Sequence, residues 1–128
     1  MMTTWNLNGM KHHLFFCNGG SCTKKGAEEV VEAMRDEIKL QEADVRIHTT
    51  RTRCQGRCED ACVITVYPEG VWYKEVTPEI GRRIVREHLV GGSPVEEHIS
   101  YTYEDELAAR PDTKEGQSKT KRKEAQTK

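Results

Sequence analysis

Cys54-Gln55-Gly56-Arg57-Cys58-Glu59-Asp60-Ala61-Cys62 runs straight into Val63-Ile64-Thr65-Val66-Tyr67-Pro68-Glu69-Gly70-Val71-Trp72-Tyr73. The second half is rich in β-branched and aromatic residues on both sides of Pro68-Glu69-Gly70. That is the composition of two strands joined by a short turn ending in glycine. The first half carries Cys54 and Cys58 with three residues between them. A hairpin therefore follows at once on a cysteine-bearing loop.

Downstream, Thr77-Pro78-Glu79 is a helix start, with Thr77 as N-cap and Pro78 at the first position. Ile80, Ile84, Val85 and Leu89 form its apolar face, and Gly91-Gly92 with Pro94 stop it. Upstream, Val45 to Thr50 reads as a strand with Val45, Ile47 and Thr49 on one face. Before it, Ala27, Val30, Val31, Met34 and Ile38 recur at the spacing of one helix face from Lys25 onward. His12-His13-Leu14-Phe15-Phe16-Cys17 reads as a first, buried strand. Strand, crossover helix, strand implies a parallel pair with a right-handed connection. The order is βαβ then ββα, an α/β domain with a mixed sheet of about four strands and two helices.

A chain of 128 residues holds one domain, and 35% hydrophobic against 32% charged residues gives it a modest core. Residues 1–10 lack periodicity and read as an N-terminal extension to a domain over 11–103. Residues 104–128 lose apolar content and are expected to be a disordered, charged tail. Lys114, Lys119, Lys121, Arg122, Lys123 and Lys128 outnumber Glu115 and Glu124 there, so a net charge of −1 hides an acidic body with a basic end. No apolar run reaches the roughly 18 residues of a membrane helix. The start lacks the basic-then-apolar order of a secretory signal, so a cytoplasmic protein is expected. Five cysteines, an odd count, argue against a simple disulfide framework and favour metal or cluster binding.

Cys17 and Cys22, separated by four residues, bracket Asn18-Gly19-Gly20-Ser21 at the carboxyl end of the first strand. Cys54 and Cys58 follow the second strand. If those strands are parallel neighbours, both loops leave the same sheet edge and four thiols converge. Four thiolates suit a 2Fe-2S cluster and also a structural zinc ion. Zinc knuckles usually pair cysteines two residues apart, and a dithiol redox site favours Cys-x-x-Cys; neither spacing occurs. From spacing alone, iron–sulfur cluster, zinc and free thiols all stay open. An anionic cluster needs compensation, and the first helix, starting beside Cys22, would turn its positive end toward it. Gly19, Gly20 and Gly56 would let backbone N–H groups approach sulfur. Lys24, Lys25, Arg51, Arg53 and Arg57 read either as charge compensation, as a docking surface for an acidic partner, or as a solvated rim.

Cys17-x4-Cys22, then Cys54-x3-Cys58 and Val66-Tyr67-Pro68-Glu69-Gly70-Val71-Trp72-Tyr73, resembles the thioredoxin-like 2Fe-2S ferredoxin family. That family includes the small cluster-bearing subunit of NADH dehydrogenases and related hydrogenases. The similarity runs from Lys11 to Ser100 and includes Gly91-Gly92-Ser93-Pro94-Val95-Glu96. It implies a thioredoxin-like fold, a 2Fe-2S cluster on Cys17, Cys22, Cys54 and Cys58, and one-electron transfer with a redox partner protein. It also implies, as often in that family, a homodimer; the function expected is electron transfer with no substrate turnover of its own. No membrane partner is expected without a long apolar run, and the basic tail, lacking interleaved aromatic residues, reads as a soluble end rather than a nucleic-acid surface. A subunit or accessory of a larger redox or biosynthetic enzyme, cobalamin biosynthesis included, is the alternative. A zinc-stabilised interaction module is another. The chain departs from the family in having Cys62 where proline is frequent, either as a small buried hydrophobe or as a substitute ligand.

His12 and His13, adjacent on a strand, point to opposite faces and cannot chelate together. His48, His88 and His98 have no spaced partner. Tyr67, Trp72 and Tyr73 read as core or interface aromatics, and no carboxylates form a catalytic arrangement.

Overall fold

The computed structural model describes residues 2–120. Strand β1 (His12–Cys17) leads into a short helix α1 (Gly20–Lys24) and then a long one, α2 (Ala27–Leu40). Strand β2 (Ile47–Thr52) and the hairpin β3 (Ile64–Tyr67) and β4 (Val71–Tyr73) follow. Helix α3 (Pro78–Arg83) runs on as a π-helical stretch over Ile84–Val90. Strands β5 (Ile99–Tyr103) and β6 (Leu107–Ala109) complete the order.

The expected parallel pair is present: β1 lies beside β2 with Cys17 opposite Thr52. All other pairings are antiparallel, in the order β2-β1-β3-β4-β5-β6. Among the described residues the sheet thus has six strands rather than about four, and the α-helices number three rather than two. β6 falls within the stretch expected to be tail, pairing with β5 through Tyr101–Ala109 and Tyr103–Leu107. All three of its residues are exposed, so backbone bonding and not burial holds it. The end of that tail, residues 121–128, lies outside the described residues.

The five periodic residues of α2 are all buried. Each large one contributes roughly 1.5–3 kcal/mol of burial. Leu14, Phe16, Ile64, Val66 and Tyr73 form the sheet side of the same core. α3 crosses α2 closely enough that a Cβ on Gly81 would stand 2.7 Å from Met34 Cγ. Thr77 caps α3 as expected, its Oγ1 accepting the Ile80 N–H at 3.2 Å.

Two local expectations shift. The expected second strand begins two residues late, at Ile47, because α2 closes in a turn in which the Arg46 and Ile47 N–H groups both reach Ala43 O. Val45, placed in that turn, is 72% exposed instead of core-facing. Nor does the long helix begin beside Cys22. Cys22 sits inside α1, and Gly26, at φ +93°, breaks the chain between α1 and α2. The positive end of the long helix therefore starts at Ala27, after Gly26 and not beside Cys22.

Candidate metal centre

The parallel pairing of β1 and β2 decides where the cysteines go. Both strands end at the same sheet edge, and the Asn18 N–H reaches Thr52 O at 2.8 Å, so the two loops leave side by side. They touch at once: a Cβ on Gly19 would lie 2.9 Å from Cys54 Cα and Cβ. Only glycine lets the backbones approach so closely.

Cys54 Sγ and Cys58 Sγ are 3.5 Å apart. Two thiolates on one tetrahedral metal with bonds of about 2.3 Å stand about 3.8 Å apart, so this pair has the spacing to share one metal atom. The Gly56 N–H donates to Cys54 Sγ at 3.3 Å, and Gly56 sits at φ +89°, a conformation that favours glycine. Cys17 and Cys22 form the second pair, close enough that Cys17 helps raise the Cys22 thiol pKa. Ser21, between them in sequence, lies beside the Cys58 thiol and acts to lower its pKa. Cys17 and Cys22 are buried, whereas Cys54 and Cys58 are exposed. Among the described residues, no three of His, Cys, Asp and Glu are arranged around a single ion. The sulfurs lie instead as two pairs.

The thiols raise one another's proton affinity. Cys22 is pushed up to about 12, first by burial, then by its neighbours Cys17 and Cys62, against the pull of the Val63 N–H. The Cys58 thiol is raised by its hydrogen bond to Cys54, with Ser21 acting the other way. A bound metal cation relieves that repulsion and displaces the protons. The donor set, its pairing and its N–H donor therefore fit an iron–sulfur cluster.

Cys62 is buried, and its Sγ faces the carbonyl oxygens of Cys22 at 3.5 Å and Lys25 at 3.4 Å. Burial raises its thiol pKa as well. Of the five flanking cations, Arg51 pairs with Glu28 at 3.0 Å. Arg57 turns inward to Asp60, a residue only 1% exposed, at 2.7 Å. Lys24, Lys25 and Arg53 are exposed and form no ion pair with another described residue.

The other sequence candidates lie elsewhere. His12 faces Glu69 and His88, while His13 faces Thr50 and His48 on the opposite side of β1. His98 Nδ1 is 3.0 Å from Lys74 O. Tyr73 is fully buried, and Tyr67 and Trp72 hydrogen-bond each other across the hairpin. Sequence reasoning missed Ser21, for which no spacing rule gives a signal. It also missed the Arg57–Asp60 pair, whose i,i+3 spacing on a helical turn was a usable one.

Residues 4–88 match the model of the thioredoxin-like 2Fe-2S ferredoxin family. A Priestia megaterium protein provisionally named a 2Fe-2S ferredoxin is 49% identical over 123 residues, covering 94% of this chain and 96% of the relative. A 2Fe-2S ferredoxin of Clostridium pasteurianum is 36% identical over 66% of this chain and 91% of its own length. The HndA subunit of an NADP-reducing hydrogenase from Solidesulfovibrio fructosivorans is 34% identical over 61% of this chain but only 47% of that subunit. Among solved structures, a thioredoxin-like 2Fe-2S ferredoxin from Aquifex aeolicus superposes with a TM-score of 0.70 at 34% identity, over 74% of this chain and 94% of that one. With the thioredoxin-like architecture and the paired thiols already in place, the conclusion is direct: the chain belongs to the thioredoxin-like 2Fe-2S ferredoxin family, a family of iron–sulfur electron carriers.

Proposed function

We propose that Cys17, Cys22, Cys54 and Cys58 hold a 2Fe-2S cluster and that the protein passes single electrons to or from a partner protein, with no substrate turnover of its own. The observation that carries this reading is the contact of two cysteine-bearing loops at one sheet edge, with Gly19 against Cys54. When bound, such a cluster supplies a one-electron redox couple on iron.

The chain's own residues define its surroundings. Cys17 and Cys22 anchor the buried side, while the exposed Cys54 and Cys58 define the edge at which a partner can approach. Gly56 offers a backbone N–H to sulfur, and such hydrogen bonds raise reduction potentials. Lys24, Lys25 and Arg53, exposed and close in sequence to Cys22 and Cys54, suit a partner with an acidic face. No helix among the described residues is long and apolar enough to cross a membrane. A cytoplasmic setting, where thiols stay reduced, is part of the same proposal, and so is the homodimer that the family resemblance implies.

The experiment is anaerobic purification followed by visible spectroscopy. The expected protein is coloured, bleaches with dithionite, and loses its colour when Cys17, Cys22, Cys54 or Cys58 is replaced by serine. A colourless protein containing zinc would overturn the reading. Light scattering on the same sample tests the dimer. A second reading, a subunit of a larger redox enzyme, is favoured by the likeness to the hydrogenase subunit. A stoichiometric partner retained in anaerobic pull-down would support it.

A further inference from the structure

We infer that the segment from Arg110 to Gly116 is a working part of the cysteine site: it clasps the loop carrying Cys54 and Cys58 and fixes that loop's position. The segment lies beyond residue 88, where the family match ends.

The clasp is built from two hydrogen bonds running in opposite directions. Arg57, which lies between the two cysteines in sequence, donates from Nη2 to Lys114 O at 2.7 Å. Lys114 donates in return from Nζ to Glu59 O, also at 2.7 Å, on the residue directly after Cys58. Each partner thus offers a cation to a backbone carbonyl of the other, and charged donors make such bonds stronger than neutral ones. Gly116 continues past the same guanidinium, where a Cβ would stand 3.5 Å from Arg57 Nη1.

Both halves are anchored behind the contact. On the loop side, Arg57 Nε binds Asp60 Oδ2 at 2.7 Å, and the guanidinium lies over the Tyr101 ring at 5.1 Å. On the segment side, the Arg110 N–H and Thr113 Oγ1 both bind Ser100 O, at 2.8 and 2.9 Å, and Lys74 Nζ reaches Asp112 O at 3.2 Å. Tyr101 and Ser100 belong to β5, so one strand supports both sides.

The loop needs this support. Its bonds are few: the Asp60 N–H to Arg57 O and the Ala61 N–H to Cys58 O in the helical turn, the Gly56 N–H on sulfur, Gln55 Nε2 to Thr52 Oγ1, and the Glu75 N–H to Asp60 O at 2.7 Å. Cys54 and Cys58 are the exposed pair, held from the core side through Gly19 against Cys54 and through Asp60, whereas Cys17 and Cys22 are themselves buried. An exposed loop with little backbone bonding opens at low cost unless held from outside. Its consequence for a bound cluster rests on the cysteine-ligand reading above.

The test uses the full-length chain with Lys114→Met and Arg57→Gln. Arg57→Gln also leaves the buried Asp60 without its partner and could fail to fold. Lys114→Met removes one of the clasp's two bonds, that from Nζ to Glu59 O, and leaves the Arg57 bond to the backbone carbonyl and the Arg57–Asp60 pair in place. In the metal-free protein, amide hydrogen exchange over residues 55–60 should quicken about tenfold in Lys114→Met, which loses the charge-assisted bond to Glu59 O together with a 3.7 Å exposed ion pair to Glu75. Amides of β1 and β3 should not change. In coloured protein the same variant should release iron to a chelator several-fold faster and shift the midpoint potential. Unchanged exchange over 55–60, or exchange that quickens equally in β1 and β3, would overturn the clasp. A colourless protein would sink the cluster reading instead, and the exchange result would still decide the clasp.

Discussion

Gly19 is packed against Cys54 with no space for a side chain: a Cβ there would meet Cys54 Cα and Cβ at 2.9 Å, backbone against backbone. Gly20, the next residue, has nothing within 4 Å of the same construction. The two neighbours should respond differently to one methyl group. Gly19→Ala must push the loop of Cys17 and Cys22 away from the loop of Cys54 and Cys58. Overpacking of this kind costs about 1–3 kcal/mol. Gly20→Ala should stay within about 0.5 kcal/mol of the parent. Urea denaturation of both metal-free variants, with iron content after anaerobic reconstitution, checks the contrast. Equal behaviour would show that the loop contact does not govern the site.

Away from the sulfurs, Tyr73 completes a buried chain. Its hydroxyl accepts the Val95 N–H at 3.1 Å and lies 2.7 Å from His88 Nδ1. With Val95 as donor to it, the tyrosine O–H is free to donate to the histidine. Tyr73→Phe removes only an oxygen but leaves a buried N–H and a buried ring nitrogen unpartnered. A loss of about 1–3 kcal/mol is expected, larger than that of a neutral ring exchange. The change in urea midpoint at constant m-value measures it, and the visible spectrum of the loaded protein should not move.

The same histidine makes stability depend on pH. Burial lowers the His88 pKa, with Glu69 pulling it up and His12 pushing it down. His13 is lowered too, by burial and then by His48. Folding thus favours both neutral rings. Their contribution is complete above the unfolded value near 6.5 and is lost as pH falls below it toward the folded values. Each group that titrates fully adds at most about 1.4 kcal/mol per pH unit to the slope. Glu28, Glu37, Glu87 and Glu97, all lowered by hydrogen bonds in the fold, act in the same direction but only at more acidic pH. Denaturation midpoints between roughly pH 5 and 7 should therefore fall with acidification, less steeply in His88→Gln. A flat profile in the parent would contradict the burial account.

Much of this architecture is legible in the residues, and the failures have physical causes. The helix over Ala27–Leu40, the Thr77 cap and the Pro68-Glu69-Gly70 turn each carry a local signal that tertiary structure does not override. The parallel pair follows from element order. β6 carried no such signal, because Leu107-Ala108-Ala109 is exposed and lies beside Glu104-Asp105-Glu106. Its formation depends on β5 offering a free edge, and no sequence window displays that. Arg57 fails for a related reason. A cation beside exposed cysteines reads as rim until Asp60, Tyr101 and Lys114 are known to surround it.

Cys62 gives the sharpest remaining test of the ligand assignment. Its sulfur is buried and faces the carbonyl oxygens of Cys22 and Lys25, so its S–H can serve as a weak donor to the end of α1. A small buried group in that role is replaceable. Cys62→Ser keeps a donor of similar size, and Cys62→Ala loses little volume, at a cost of about 1 kcal/mol in a core position. Both should retain the iron content and visible spectrum of the parent, whereas Cys58→Ser should lose them. If serine at position 62 emptied the site while serine at 58 did not, Cys62 would be the ligand. The second sulfur pair would then join Cys54 to the head of the hairpin rather than to the helical turn before it.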